Sequence, residues 1–155
     1  MTQAITAADV CRGVTRLLAQ AGLAAMPEVP LPCGRRADIL AVDAKGLVTI
    51  VEIKVSRADL HGDGKWPDYV DWCDRFYWAL AAGLDPAILE TAAYRPDMAG
   101  LIVADRYGAA IVREAAVEPL SSARRKAESL RLARLAMRRL MFAADPDLIA
   151  DWADG

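Results

Sequence analysis

Residues 35–54 read RRADILAVDAKGLVTIVEIK and carry three ionisable side chains, Asp38, Glu52 and Lys54, inside two otherwise apolar runs. The runs 37–43 and 47–55 have the length and Val/Ile content of strands. Between them, Asp43-Ala44-Lys45-Gly46-Leu47 fits a hairpin with a three-residue loop, Gly46 taking the left-handed position. That loop pairs Asp43 with Leu47 and, further along, Asp38 with Glu52, with Cβ atoms about 5 Å apart. Lys54 lies two residues past Glu52 and shares its face. A two-residue loop would shift the register by one and undo the convergence.

Two facing carboxylates repel unless a raised pKa, a cation or a basic side chain compensates. Lys54 supplies part of that compensation. Asp and Glu also offer the hard oxygens that Mg²⁺ takes. A metal held by Asp38, Glu52 and the carbonyl of Ile53 could polarise a phosphate oxygen and acidify a bound water. Lys54 could orient that water or stabilise charge on the phosphate. These are the parts of phosphodiester hydrolysis. An Asp followed at a distance by Glu-x-Lys also arises by chance as a solvated surface pair. Here the apolar setting, where unpaired charge is costly, and the hairpin register favour the functional reading.

The rest of the chain builds outward from this hairpin. Thr6 with Asp9 forms a capping box for a helix whose stripe is Val10, Val14, Leu17 and Leu18, stopped at Gly22. The proline-interrupted run 26–32 reads as an edge strand, and Cys33-Gly34 as a turn. Residues 56–66 read as a polar loop. A helix is expected from Pro67 to about Ala82, with Tyr69, Cys73, Phe76 and Leu80 as its stripe and Asp71 paired to Arg75. A short helical turn at 85–91 and strands at 99–104 and 109–113 follow. Ser121 or Ser122 caps a long helix ending near Ala144, with Ala123, Ala127, Leu130, Met137 and Met141 turned to the core. The order is α-β-β-β-α-β plus one strand and the C-terminal helix. This is an α/β fold with a mixed sheet flanked by helices, the third strand crossing over to pair in parallel with 99–104.

The chain has 155 residues, 55% of them hydrophobic, and reads as a single domain, 1–155, with a real core. No apolar run approaches the roughly 20 residues of a membrane span, and no signal peptide is read at the start. Three separated cysteines and one histidine suggest neither a zinc cluster nor a disulfide framework, so a cytoplasmic location is expected. The net charge of −2 conceals a segregation. Residues 122–142 hold seven basic side chains and one acid, Glu128, whereas the rest of the chain is strongly acidic. Arg124, Arg125 and Lys126 crowd a helix N-terminus, where the macrodipole disfavours cations. Arg131, Arg134 and Arg138 continue the basic side. That placement suggests phosphate binding, with Arg35 and Arg36 extending the surface, against the blander reading of a solvated face.

The Asp38 strand followed by Glu52-Ile53-Lys54 resembles the PD-(D/E)xK nuclease superfamily, with Ala37 where the motif name has Pro. More closely, the stretches PEVPLPCGRRADIL, VEIKVSRADLHGDGKWPDYVDWCDRFYWAL, GLIVADRYGAAIVRE and SSARRKAESLRLARLAMRRL are similar to MmcB-type DNA-repair proteins. The resemblance implies a restriction-endonuclease-like fold and Mg²⁺- or Mn²⁺-dependent DNA cleavage in repair, with nucleoid association. It assigns catalysis to Asp38, Glu52 and Lys54. Many superfamily members carry a further acid on the first helix. Here that helix has only Asp9, and Glu28 is the alternative third ligand. The resemblance also makes Lys65 a candidate phosphate contact.

For Trp66, Trp72 and Tyr77, packing is set against base stacking; for Asp59 and Asp63, loop capping against an outer metal shell; for His61, a solvated loop position against a general base. The alternative to an endonuclease is an inactive nuclease fold that binds DNA or recruits partners, and a third reading is a protein-interaction scaffold. Expected partners are DNA and either a second copy or a repair protein, with no membrane.

Overall fold

The structure is a computed structural model and describes residues 3–62 and 64–148. The chain divides into two compact units, one ending at Leu120 and one beginning at Ser121.

The first unit opens with α1 (Ala7–Gln20). Its capping box is complete: the Asp9 N–H donates to Thr6 Oγ1 and the Thr6 N–H to Asp9 Oδ2. These bonds, with the charge of Arg106, hold the Asp9 carboxyl below its usual range. The strands β1 (Ala24–Pro30), β2 (Arg36–Val42) and β3 (Val48–Lys54) follow as an antiparallel meander. Short helices α2 (Arg57–His61) and α3 (Pro67–Val70) lead to β4 (Arg75–Ala81). Two 3₁₀ turns, Ala87–Glu90 and Ala92–Tyr94, precede β5 (Gly100–Ala104) and β6 (Ala109–Arg113). The six strands form one sheet in sequence order, parallel at β3–β4 and β4–β5 and antiparallel elsewhere.

Strand alternation sends Ile39, Val51, Tyr77 and Ile102 to one face, where Val10, Val14 and Leu18 of α1 complete the core. Gly13 allows α1 to approach the β5–β6 turn, since a Cβ there would run into the carbonyl oxygens of Asp105 and Gly108. Beside β4 lies an aromatic cluster of Trp66, Tyr69, Phe76, Trp78 and Tyr94. Packing is therefore the observed role of Trp66. Tyr77 is buried with its hydroxyl donating to Glu114, and burial followed by that bond pushes its pKa up to about 12.

The mixed α/β sheet flanked by helices is as expected, and the hairpin register holds. The Asp43 N–H donates to the Leu47 carbonyl, Gly46 has φ +83°, and Val42 pairs with Val48. Three expectations fail. The helix from Pro67 stops at Val70, and 75–81 is a strand, so Asp71 and Arg75 do not share a helical face. Phe76 and Leu80 fit a helical period, but Arg75–Ala81 is also a nearly unbroken apolar run, as suits a strand covered on both faces. Asp74 decides the matter. Its buried carboxylate accepts the N–H groups of Val48 and Leu120, and its own N–H donates to Val48, docking β4 beside β3. The parallel partner of β3 is thus β4, not the strand at 99–104. The second failure is the 56–66 loop, which contains α2, capped by Ser56.

The second unit holds α4 (Ser122–Ala144), capped by Ser121. Here lies the third failure: the helix buries Glu128 and Leu132, while Leu130 and Met137 are each 63% exposed and Met141 is 43% exposed. The sheltered carboxylate of Glu128 is satisfied by a two-pronged pair with Arg131, one turn on.

Asp74→Ala leaves two N–H acceptor positions empty at the start of β3 and at Leu120. A loss of about 2–4 kcal/mol is expected. It should be read as a lower urea midpoint with an unchanged slope.

Candidate functional site

Both ladders of β2 are interrupted at the same residue. The β1–β2 register steps from Pro27↔Ile39 to Val29↔Ala37, skipping Glu28 and Asp38. The β2–β3 register begins at Ile39↔Val51, one residue short of an Asp38–Glu52 pair. Glu28 adopts φ +51°, a left-handed conformation uncommon for a side chain of this kind.

Side chains take over where the ladder stops. The Ile53 N–H donates to Asp38 Oδ2 at 2.7 Å, and the Asp38 N–H donates to Glu52 Oε1 at 3.1 Å. Burial pushes the Asp38 carboxyl up. The Ile53 N–H, the Lys54 charge, a hydrogen bond with the Glu52 side chain and Arg36 oppose that push, in that order. Glu52 is only 5% exposed. Lys54 lies over the Trp78 ring, 5.7 Å from its centroid. Asp38 and Glu52 are thus brought together, and the Lys54 charge is near enough to act on Asp38.

Asp38 opens onto a cleft of about 370 Å³ that is also lined by Cys11, Glu28, Ile53 and Asp59. Burial raises the Cys11 thiol pKa, and the Asp38 and Glu28 carboxylates add to that rise. Glu28 thus shares the cleft of Asp38, but its carboxylate also lies 3.7 Å from Arg36. Asp59 is the loop cap its spacing suggested: its carboxylate accepts the Val55 N–H, and its own N–H donates to Ser56 Oγ. It also lines the cleft, a placement not visible in the Ser56-x-x-Asp59 pattern. His61 is exposed at the end of α2, and Asp63 falls outside the described residues.

The donor set suits a hard divalent cation in kind. Two neighbouring carboxyl groups, if both ionised, would be relieved by a positive charge, and the Ile53 carbonyl belongs to the same strand as Glu52. Among the described residues, no group of three or more His, Cys, Asp or Glu side chains is gathered to hold a metal. A cation here would rest on the Asp38–Glu52 pair and keep several waters, as Mg²⁺ commonly does.

Of the expected DNA-contacting residues, Arg35 pairs with Asp68 at 2.9 Å and Arg36 with Glu28 at 3.7 Å. Such exposed pairs are worth roughly 0–1 kcal/mol and are readily exchanged for phosphate. Lys65 is exposed in the loop before α3. Arg124, Arg125, Arg131, Arg134 and Arg138 all lie on α4, in the second unit.

A solved structure described as "SPO1766 protein of unknown function from Silicibacter pomeroyi" is similar to this chain. The two are 39% identical, 94% of each is covered, and the TM-score is 0.80. Residues 1–147 match the family described as DNA repair protein MmcB-like. The chain belongs to this MmcB-like DNA repair family. No curated protein matches it. Among the described residues, no helix is long and apolar enough to cross a membrane.

The raised Asp38 pKa has a sign for stability. The folded state binds this proton more readily than the unfolded chain, whose group titrates near 3.8. Stability contributed by this group therefore falls as pH rises from there through the folded-state pKa, and the deficit persists at neutral pH. Asn at this position keeps an acceptor for the Ile53 N–H without the charge. Asp38→Asn is expected to raise Tm at neutral pH, by about 2–4 °C per kcal/mol relieved. The gain should shrink as the pH falls below the ordinary Asp range. A lower Tm for the variant at neutral pH would contradict the burial argument.

Proposed function

We propose that this chain is a metal-dependent DNA endonuclease that hydrolyses phosphodiester bonds during repair. The observation that carries the reading is the pairing of Asp38 with Glu52 at the point where both ladders of β2 break, with the Lys54 charge acting on Asp38. Membership of a DNA repair family supports the biological setting. The likeness of Asp38 and Glu52-Ile53-Lys54 to the PD-(D/E)xK pattern supports the chemistry.

Asp38 and Glu52 would hold Mg²⁺ or Mn²⁺, with the Ile53 carbonyl as a further oxygen donor; Glu28 lines the same cleft but is not gathered with them into a three-carboxylate group. When bound, the cation supplies Lewis-acid polarisation of the phosphate and a more acidic water. The chain's own part is orientation. The backbone bonds to Asp38 and Glu52 fix both carboxylates before substrate arrives. Lys54, braced on Trp78, supplies a positive charge for the attacking water or the phosphate oxygens. Since Asp38 must ionise to bind a cation, metal affinity should rise with pH.

A second reading has its own support. Asp38 and Glu52 each accept a backbone N–H, so the pair also serves as a structural splice between strands. On that reading the domain binds DNA or recruits partners without cutting.

Cleavage of a panel of branched, nicked and single-stranded DNAs with Mg²⁺ or Mn²⁺ separates the two. Glu52→Gln and Lys54→Ala are each expected to lower the rate at least about 100-fold with the thermal transition retained. Metal-independent, salt-sensitive binding with no cleavage of any substrate would favour the second reading.

A further inference from the structure

The basic helix carries an apolar seam that the proposed chemistry does not use. Ala123, Ala127, Leu130, Arg134, Met137 and Met141 recur at alternating spacings of four and three, and every one is exposed. Leu140, beside the seam, is 71% exposed. The other side of the helix holds the buried Glu128 and Leu132, so the exposed seam is a second face. A solvated helix gains nothing from a stripe of Leu and Met, and an exposed apolar stripe marks an interaction site. Its mean period of 3.5 residues is that of one helix packed along another. At 23 residues, α4 presents about three heptads over roughly 35 Å.

We propose that the occupant is α4 of a second copy of this chain, packed antiparallel about a twofold axis. The charge pattern selects both the partner and the direction. A parallel pair would set Arg134 against Arg134 and bring the two Arg124–Lys126 clusters together. The antiparallel register that places Leu130 against Met141 of the second copy avoids both. It sets Ala127 against Ala144 and Arg134 against Met137, where the arginine stem can lie along the thioether. It also carries Asp145 and Asp147, exposed just past the helix, to the level of Lys126 and Arg124 of the other copy. The acidic complement of the basic end thus lies on the same chain, as a self-complementary twofold contact requires. The two helix dipoles also oppose each other, which favours this direction.

The test is the mass of the full chain in solution by sedimentation equilibrium, with variants in the exposed seam. A dimer at micromolar concentration is expected. Leu130→Glu with Met137→Glu should weaken it by about 100-fold or more while leaving the helical circular dichroism unchanged. For the register, a chain carrying Leu130→Cys is mixed with one carrying Met141→Cys and oxidised, and the disulfides are mapped by peptide. Cross-links joining position 130 to 141 are expected. A monomer at all concentrations, or a dimer indifferent to the double substitution, overturns the pairing. Links joining 130 to 130 overturn the direction. An unchanged mass with lost DNA binding would give the seam to nucleic acid instead.

Discussion

Two backbone N–H groups, those of Asp38 and Ile53, are satisfied by carboxylates rather than by carbonyls of a continuing ladder. The site depends on that exchange. Sheltered N–H groups must find partners, so the point where β2 and β3 part would be costly if left empty. Asp38 and Glu52 fill the gap, and in doing so each gains a fixed orientation. The cost falls on the charge: burial disfavours ionised Asp38, and the Ile53 N–H, the Lys54 charge, the Glu52 side chain and Arg36 hold that penalty down. The two carboxylates are thereby held in place by backbone bonds, at the expense of some stability at neutral pH.

The surroundings follow from the same break. Glu28 takes a left-handed conformation where β1 skips a pair, at a cost of about 1–2 kcal/mol for a residue with a Cβ. The skip leaves Glu28 on the cleft that Asp38 lines. On the other side, α2 is anchored to the aromatic cluster through Tyr94, whose hydroxyl donates to the Leu60 carbonyl. The same short helix contributes Asp59 to the cleft. Trp78, at the centre of the aromatic cluster, is the surface on which Lys54 rests. The aromatic cluster thus supports both Lys54, through Trp78, and the helix that brings Asp59 to the cleft, through Tyr94.

Much of this was legible in residues 35–54 alone. Gly46 required a left-handed turn, the turn determined the register, and the register brought Asp38 to Glu52. Local chemistry was enough because each step involves near neighbours. The strand at 75–81 was not legible, because a strand buried on both faces has no alternation and its aromatic residues also fit a helical period. Its cause is a long-range bond: Asp74 reaches Val48 and Leu120, and no window of local sequence contains all three. The prolines of MPEVP mark an edge strand, but the positive φ of Glu28 accompanies the ladder skip and has no signature in that stretch. Asp59 was legible as a cap and not as a wall of the cleft, since the second role depends on where α2 lands.

The basic helix shows the same limit in another form. A seam at spacings of three and four reads identically whether it faces a core or another helix, and the sequence reading assigned it to the core. The exposure of Leu130, Met137 and Met141, with Glu128 and Leu132 buried on the other side, reverses that assignment. The charge on α4 then acquires a different meaning. If two copies pair, their arginines flank one seam and the positive fields add. A dimer contacting phosphate through both helices would release about twice as many counterions as a single chain, and its binding would fall correspondingly more steeply with salt. Segregating basic residues onto one helix, in a chain of net charge −2, would reconcile an overall acidic protein with the polyanionic partner proposed above.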